Sequence, residues 1–344
     1  MTSDFWLDLA RHGLRFPIAT DLALHADPDP QGARMDARRL ATVLTKAAAR
    51  YDLPVALPLM DLRLDKAALL APFGVSAEDS ETFHFTSVPE NSPAATPAED
   101  ARAGSIRHIR EDGRLHAVGQ IIGPFSLATK LMRDPIAAIA LAGAQASEEP
   151  EVKLWEWCLA RSLETVLTSM EQQVESGAQT IMLCEPAANT VYLSPRQLRR
   201  GSDIFDRYVL AGLRRIKQRL DELHANLFLH DCGELLPSFA TAFAQEIHPA
   251  VLSLGSSRRL WEDATLVPAD VVLYGNLPSK LFYSDDVMPR AEVERRVHEL
   301  QTNMQATGHP FLMGTECDVL YVGECAERIQ RKVDLLQCKA EAPR

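Results

Sequence analysis

Three side chains in this sequence have the types and spacing of metal ligands. His230 and Cys232 stand one residue apart in Leu229-His230-Asp231-Cys232-Gly233, and Cys317 lies in Gly314-Thr315-Glu316-Cys317-Asp318. Each word follows a short apolar run of strand type. In an extended chain alternate side chains share a face, so His230 and Cys232 point one way and Asp231 the other. If both runs end at one mouth of a barrel, Cys317 joins the pair. One imidazole and two thiolates form a donor set suited to Zn²⁺, with a coordination position left for a substrate. Gly233 and Gly314 would let the backbone turn sharply and leave room beside such an ion. A His-x-Cys pair alone is a weak signal, since His and Cys near strand ends are more often packed core or rim residues than ligands; the distant third donor is what favours the metal.

Donors so far apart in the chain need a sheet to bring them together. Short apolar runs of strand type fall at 16–22, 55–59, 118–122, 180–184, 226–229, 250–254, 271–274 and 310–313. Helical periodicity fills 36–50, 153–176, 202–224, 235–245 and 290–305. In 153–176, Leu154, Trp157, Cys158, Arg161 and Thr165 fall at helical offsets, and Gly177 follows where a helix would stop. Eight strands alternating with helices predict an α/β fold of the closed (β/α)₈ TIM-barrel kind, with an open doubly wound sheet as the alternative. Neither a Gly-x-Gly-x-x-Gly nor a Gly-x-x-x-x-Gly-Lys-Ser/Thr phosphate cradle is present, which weakens any nucleotide-binding version of the open sheet. The expectation is a single domain over 1–344 with an irregular excursion at about 76–114. That excursion carries Pro89, Pro93, Pro97 and the turn-like Glu111-Asp112-Gly113, with one short strand expected at 82–86. It reads either as a cover over the site or as a surface loop.

Composition narrows the partners. Lys plus Arg number 36 against 47 for Asp plus Glu, a net charge of −11, and the charges are spread along the chain. That balance argues against a nucleic-acid binder or an anionic-membrane clamp. No apolar run approaches the roughly 20 residues that cross a bilayer. The start, Met1-Thr2-Ser3-Asp4-Phe5-Trp6, has an early acid and no basic-then-apolar signal region, so a cytoplasmic location is expected. Six cysteines in 344 residues suit reduced thiols or metal ligands better than a disulfide framework.

Several further words carry a family resemblance. Gly123-Pro124-Phe125-Ser126-Leu127-Ala128 follows the third strand, Met60-Asp61-Leu62 closes the second, Glu185-Pro186-Ala187-Ala188 follows the fourth, and Tyr274-Gly275-Asn276-Leu277 follows the seventh. With His230-x-Cys232-Gly233 and the distant Cys317, the chain resembles the cobalamin-dependent methyltransferases of the uroporphyrinogen decarboxylase superfamily, the group that holds the methylcobalamin:coenzyme M enzymes. The resemblance implies a TIM barrel holding zinc through His230, Cys232 and Cys317. It implies methyl transfer between a corrinoid such as methylcobalamin and a thiol or similar acceptor activated on that zinc. Two thiolates cancel the ion's charge, so a thiol joining it loses its proton while its sulfur stays nucleophilic.

Glu185 is then placed either at the open coordination position, where it could also accept the thiol proton, or at the rim against solvent or a backbone amide. Asp61 and Asn276, at strand ends, either orient substrate and ligands or bond to local backbone. The chain lacks the Asp-x-His-x-x-Gly word of corrinoid-carrying domains, so cobalamin is expected to arrive free or on a separate corrinoid protein. Cys158, Cys184, Cys325 and Cys338 read as ordinary thiols, and His84, His108 and His116 as solvated loop residues, with a cobalamin tail contact as the other reading. Two alternatives stay open: a decarboxylase, to whose arginine-rich N-terminal word Arg11-His12-Gly13-Leu14-Arg15 bears a faint likeness, and a non-catalytic corrinoid- or zinc-binding protein.

Overall fold

A computed structural model describes residues 3–96 and 100–337 of the chain. Cys338 and Pro97 fall outside them. Seven strands form one parallel sheet in sequential order: β1 (Val55–Ala56), β2 (His116–Ile122), β3 (Thr180–Cys184), β4 (Asn226–Asp231), β5 (Val251–Leu254), β6 (Val272–Leu277) and β7 (Phe311–Thr315). Parallel strands covered by helices are buried on both faces, which is why β3 to β6 read as short, nearly unbroken apolar runs. The order and the helical crossovers make the sheet curl into a TIM-barrel-like α/β fold.

The eighth strand expected at 16–22 is not formed. That segment is extended only as far as a single parallel bridge between Arg15 and Met313, with Phe16 N–H donating to Met313 O (2.9 Å). Pro17 has no N–H to extend the ladder, and Ile18 N–H bonds to the Thr315 hydroxyl (3.0 Å) rather than to a strand carbonyl. The chain then turns into helix Thr20–Leu24. On the far edge β1 stops after two residues, since Pro58 again supplies no donor, and residues 57–61 diverge from β2.

The interior is packed rather than open. Trp6, from helix Ser3–Arg11, donates to the Thr180 hydroxyl (3.1 Å) and stacks edge-on against Phe228 (5.5 Å between centroids). Phe228 and Phe16 both meet Tyr274, whose hydroxyl donates to Phe16 O (3.0 Å). One layer above Phe228 runs a cross-strand row in register that includes Tyr274: Ile122, Cys184, His230, Ser253 and Tyr274. His116, expected as a solvated loop residue, instead opens β2, stacks on Phe5 (4.0 Å), and lies 2.8 Å from the Thr180 hydroxyl through Nε2.

Helix Pro150–Glu175 starts with proline at its first position and ends at Ser176 before Gly177, whose φ of +106° suits glycine. The helices expected at 202–224 and 235–245 are broken by π-helical turns at Asp206–Leu210 and Phe243–Ile247. The segment 76–114 is less irregular than expected. It contains helix Ala101–Asp112, capped by Asp100 at its start and by Gly113 (φ +73°) at its end. Gly104 interrupts the apolar period of that helix because it packs on helix Ala37–Arg50, where a Cβ would come within 2.6 Å of Ala37 Cβ. Residues 82–86 form no strand, and Phe85 N–H bonds to Leu131 O (2.8 Å). Among the described residues no helix is long and apolar enough to cross a membrane.

A buried ionic network ties these helices to β2. The carboxylate of Asp65, itself fully buried, accepts from Arg102 (2.9 Å), the Ser169 hydroxyl (2.9 Å) and Ile122 N–H (3.0 Å), while Arg102 also bonds Asp100 and Gln120 O. Burial alone would drive the proton off Arg102, but the two aspartates outweigh it and hold the guanidinium charged. Removing one partner strands a desolvated charge. Asp65→Ala should therefore cost about 3–5 kcal/mol in urea unfolding, and Asp65→Leu with Arg102→Met should recover much of that loss; equal stability of Asp65→Ala and wild type contradicts the assignment.

Candidate metal centre

β4 and β7 deliver the three sulfur and nitrogen donors to one place. The Sγ atoms of Cys232 and Cys317 are 3.8 Å apart, and with a ring nitrogen of His230 all three donors lie within 4.8 Å of one another. Among the described residues no other set of three His, Cys, Asp or Glu donors converges in this way. A disulfide needs sulfurs at about 2.05 Å. Two sulfurs each about 2.3 Å from a tetrahedral zinc are separated by about 3.8 Å, so the spacing is that of two ligands sharing an ion.

The histidine is set for the same purpose. His230 is 1% exposed, and its Nδ1 lies 2.8 Å from the hydroxyl of Ser253, its register partner on β5. Its Nε2 is buried and has no hydrogen-bond partner among the described residues. With Nδ1 engaged by the hydroxyl, the ring is held in one orientation and Nε2 is left as its free ligand atom. The residues present therefore fit a zinc ion.

Electrostatics split the two thiols. The S–H of Cys317 first, then His230 and Lys280, pull the Cys232 thiol well below its ordinary range against the opposing effect of burial, and Cys317 correspondingly keeps its proton. Lys280, in the turn Ser279–Leu281 after β6, is a cation that the sequence reading missed. Burial works to strip its proton, but Cys232, Glu316 and Cys317 outweigh that and raise its pKa. Its only signal was its place four residues after Asn276. Ser279, its neighbour, donates to Cys317 O (3.3 Å) and anchors the cysteine's loop.

The remaining expected residues do not join the donors. Glu185, one residue past β3, is fully buried; its two oxygens accept from Phe125 N–H (3.2 Å) and Ser126 N–H (2.6 Å). Burial pushes this carboxyl up to about 7, and the Ser126 and Phe125 hydrogen bonds hold it from rising further. Asn276 donates to Gly255 O (2.8 Å) and Arg258 O (2.9 Å), holding the loop after β5. Asp61 accepts from Arg34 (2.6 Å) and from Arg63 (2.9 and 2.8 Å); burial opposes its charge, but the guanidinium groups outweigh it and keep the carboxyl below its usual range.

Two buried acids stand next to the ligands in the chain: Asp231, expected to point away from His230 and Cys232 and absent from the donor set, and Asp318, which carried no sequence signal. Asp231 spends one oxygen on Gly233 N–H (2.8 Å), and Asp318 has no hydrogen-bond partner on either side-chain oxygen among the described residues. Burial pushes Asp231 far up and Asp318 up to about 8. The two glycines serve neighbours rather than an ion. A Cβ on Gly233 would come within 2.8 Å of Pro186 O, and one on Gly314 within 2.1 Å of the Tyr274 ring. Cys184 is a fully buried strand thiol, raised by that burial.

The family model for Uroporphyrinogen decarboxylase (URO-D) matches residues 80–334. Among solved structures, a methyltransferase from Methanosarcina mazei superposes with a TM-score of 0.66 over 98% of this chain and 100% of its own, at 16% identity. A putative vitamin-B12 independent methionine synthase from Listeria monocytogenes superposes with a TM-score of 0.42 over 80% of this chain and 85% of its own, at 12% identity. No curated protein matches the sequence. At 16% identity the likeness to the Methanosarcina mazei structure is one of fold.

The split between the thiols predicts a reactivity pattern. In metal-stripped protein at pH 6, iodoacetamide should label Cys232 first, because its thiolate persists below the ordinary thiol pKa of about 8.5, while Cys158 and Cys184 stay silent. Cys317→Ala should slow that labelling by removing the donor that favours the Cys232 thiolate. Mass spectrometry of the modified peptides checks both; uniform labelling of all thiols would contradict the split.

Proposed function

The chain belongs to the uroporphyrinogen decarboxylase family, and within it we propose a methyltransferase that moves a methyl group between a corrinoid and a thiol, using a zinc ion held by His230, Cys232 and Cys317. The observation that carries this reading is the 3.8 Å separation of the two sulfurs beside the unpartnered Nε2 of His230. Zinc bound there would lower the pKa of an incoming thiol and leave its sulfur nucleophilic at neutral pH. The net exchange is balanced: the thiol loses a proton and gains the methyl group of methylcobalamin, while the electron pair of the broken cobalt–carbon bond stays on cobalt.

Each residue has a distinct task in this proposal. Cys232 and Cys317 supply two negative charges, which keep a coordinated sulfur electron-rich. Ser253 fixes the His230 ring, and Ser279 fixes the Cys317 loop. Glu185 is a positioning residue, organising Gly123–Ser126 at the mouth through two backbone amides, and Asn276 does the same for the loop after β5. Asp61, clamped by Arg34 and Arg63, belongs to the rim on which substrate or a separate corrinoid protein would rest. Against the decarboxylase reading stands the placement of Arg11 and Arg15. They lie beside Gly308–Phe311 at the N-terminal end of β7, the opposite end of the barrel from the sulfurs.

Purified protein should carry about one zinc per chain, and Cys317→Ala should lose it together with about 100-fold or more of the activity. Activity is read as loss of the cobalt–methyl absorbance of methylcobalamin with a panel of small thiols. Ser253→Ala should weaken zinc binding by about 10–100-fold while the chain stays folded. Full zinc content with no methyl transfer to any thiol, on free or protein-bound corrinoid, would favour a non-catalytic binder instead.

A further inference from the structure

An open groove of about 500 Å³ lies at the N-terminal end of β7, between the end of helix Ser3–Arg11 and helix Arg290–Thr307. Its size is that of a small-molecule cleft. No ligand of the metal centre lines it, and neither do Lys280, Glu185, Asn276 or Asp61. Leu14, Met304, Pro310, Phe311 and Met313 give the groove an apolar side. Gln301 and Gln305 add neutral polar groups, and so does His309, whose Nε2 lies 2.9 Å from Val271 O and whose proton affinity is lowered by burial.

Charge sets this groove apart. Arg11 and Arg15 line it, and no acid does. Arg15 is half-buried, yet no carboxylate lies within 4 Å of its guanidinium among the described residues. Every other described arginine of that burial or deeper, from Arg34 and Arg102 to Arg258 and Arg328, has one. Burial works against the charge of Arg15, and no acid opposes that effect.

Backbone geometry aims the side chain at the groove. Arg15 and Phe16 run beside β7 through the bridge to Met313, and the Phe16 ring turns inward to meet Tyr274 (5.0 Å between centroids). Neighbouring side chains of an extended chain face opposite ways, so Arg15 points outward. On that side Gln301, Met304 and Gln305 of helix Arg290–Thr307 close the groove. A cation would be repelled there, and a neutral molecule would leave Arg15 without a counter-charge. An oxyanion accepts the planar fork of N–H donors that a guanidinium offers, and the apolar side covers whatever carries that anion.

We propose that this groove binds a small organic oxyanion, a carboxylate or phosphate monoester on an apolar body, with Arg15 as its anchor and Arg11 at the rim. The site stands at the end of the barrel opposite the sulfurs and is independent of the chemistry assigned to them.

Titration of the full chain with hexanoate, hexyl phosphate and hexanol, followed by calorimetry and by the methyl NMR signals of Met304 and Met313, tests this. At least one of the two anions should bind saturably with a Kd below about 1 mM and shift both methionine signals. It should bind at least about tenfold more tightly than the alcohol, as charge-assisted hydrogen bonds allow, and more weakly as salt rises. The tighter of the two anions identifies the head group. Arg15→Gln should weaken that binding by at least about tenfold, and Arg11→Gln by less, with circular dichroism and zinc content unchanged. Equal binding of alcohol and anions, anion binding that leaves both methionine signals in place, or an affinity unchanged in Arg15→Gln overturns the proposal. So does the absence of saturable anion binding, as for an arginine met by water alone.

Discussion

Two sulfurs held 3.8 Å apart by segments 85 residues distant are the constraint around which this molecule is arranged. Both cannot be anionic at that distance without a cation, because like charges so close raise one another's proton affinity. The chain answers in two ways. Cys317 keeps its proton and donates to Cys232, and Lys280 stands nearby with its own charge reinforced. A divalent ion would satisfy the pair more completely, with the buried Nε2 of His230 as the third donor.

The curl of the sheet is what makes the meeting possible. β4 and β7 are separated by two strands, so in a flat sheet their ends would be roughly 14 Å apart at the usual strand spacing. The curl brings them together, and the aromatic plug of Trp6, Phe16, Phe228 and Tyr274 beneath gives it a fixed radius. Polar residues then lock the rim: Ser253 on His230, Ser279 on Cys317, Asn276 on the loop after β5, and Glu185 on the Gly123–Ser126 turn. The outer network of Asp65 and Arg102 holds the helices that support β2. Donors are thus fixed by backbone geometry and by neighbours whose own positions are determined.

Much of this architecture was legible because parallel strands are buried on both faces and announce themselves as apolar runs; β3 was placed at its observed bounds for that reason. The segment at 16–22 has the same apolar look, but Pro17 removes a donor that composition does not weigh, and the strand shrinks to a bridge. Helix Ala101–Asp112 escaped because Gly104 and its charged neighbours hide the apolar period that tight helix packing no longer requires. At the site, alternation along a strand pointed to His230 and Cys232 as a pair. Lys280, Asp318 and the commitment of Glu185 to two backbone amides were not legible, since each depends on how a loop folds back across a strand end.

X-ray absorption at the zinc edge of the zinc-loaded full chain tests the central claim most directly. The account predicts a first shell with two sulfurs at about 2.3 Å and one histidine nitrogen at about 2.0 Å, leaving room for one light atom from solvent. A shell built only of nitrogen and oxygen, or one with a single sulfur, would contradict it.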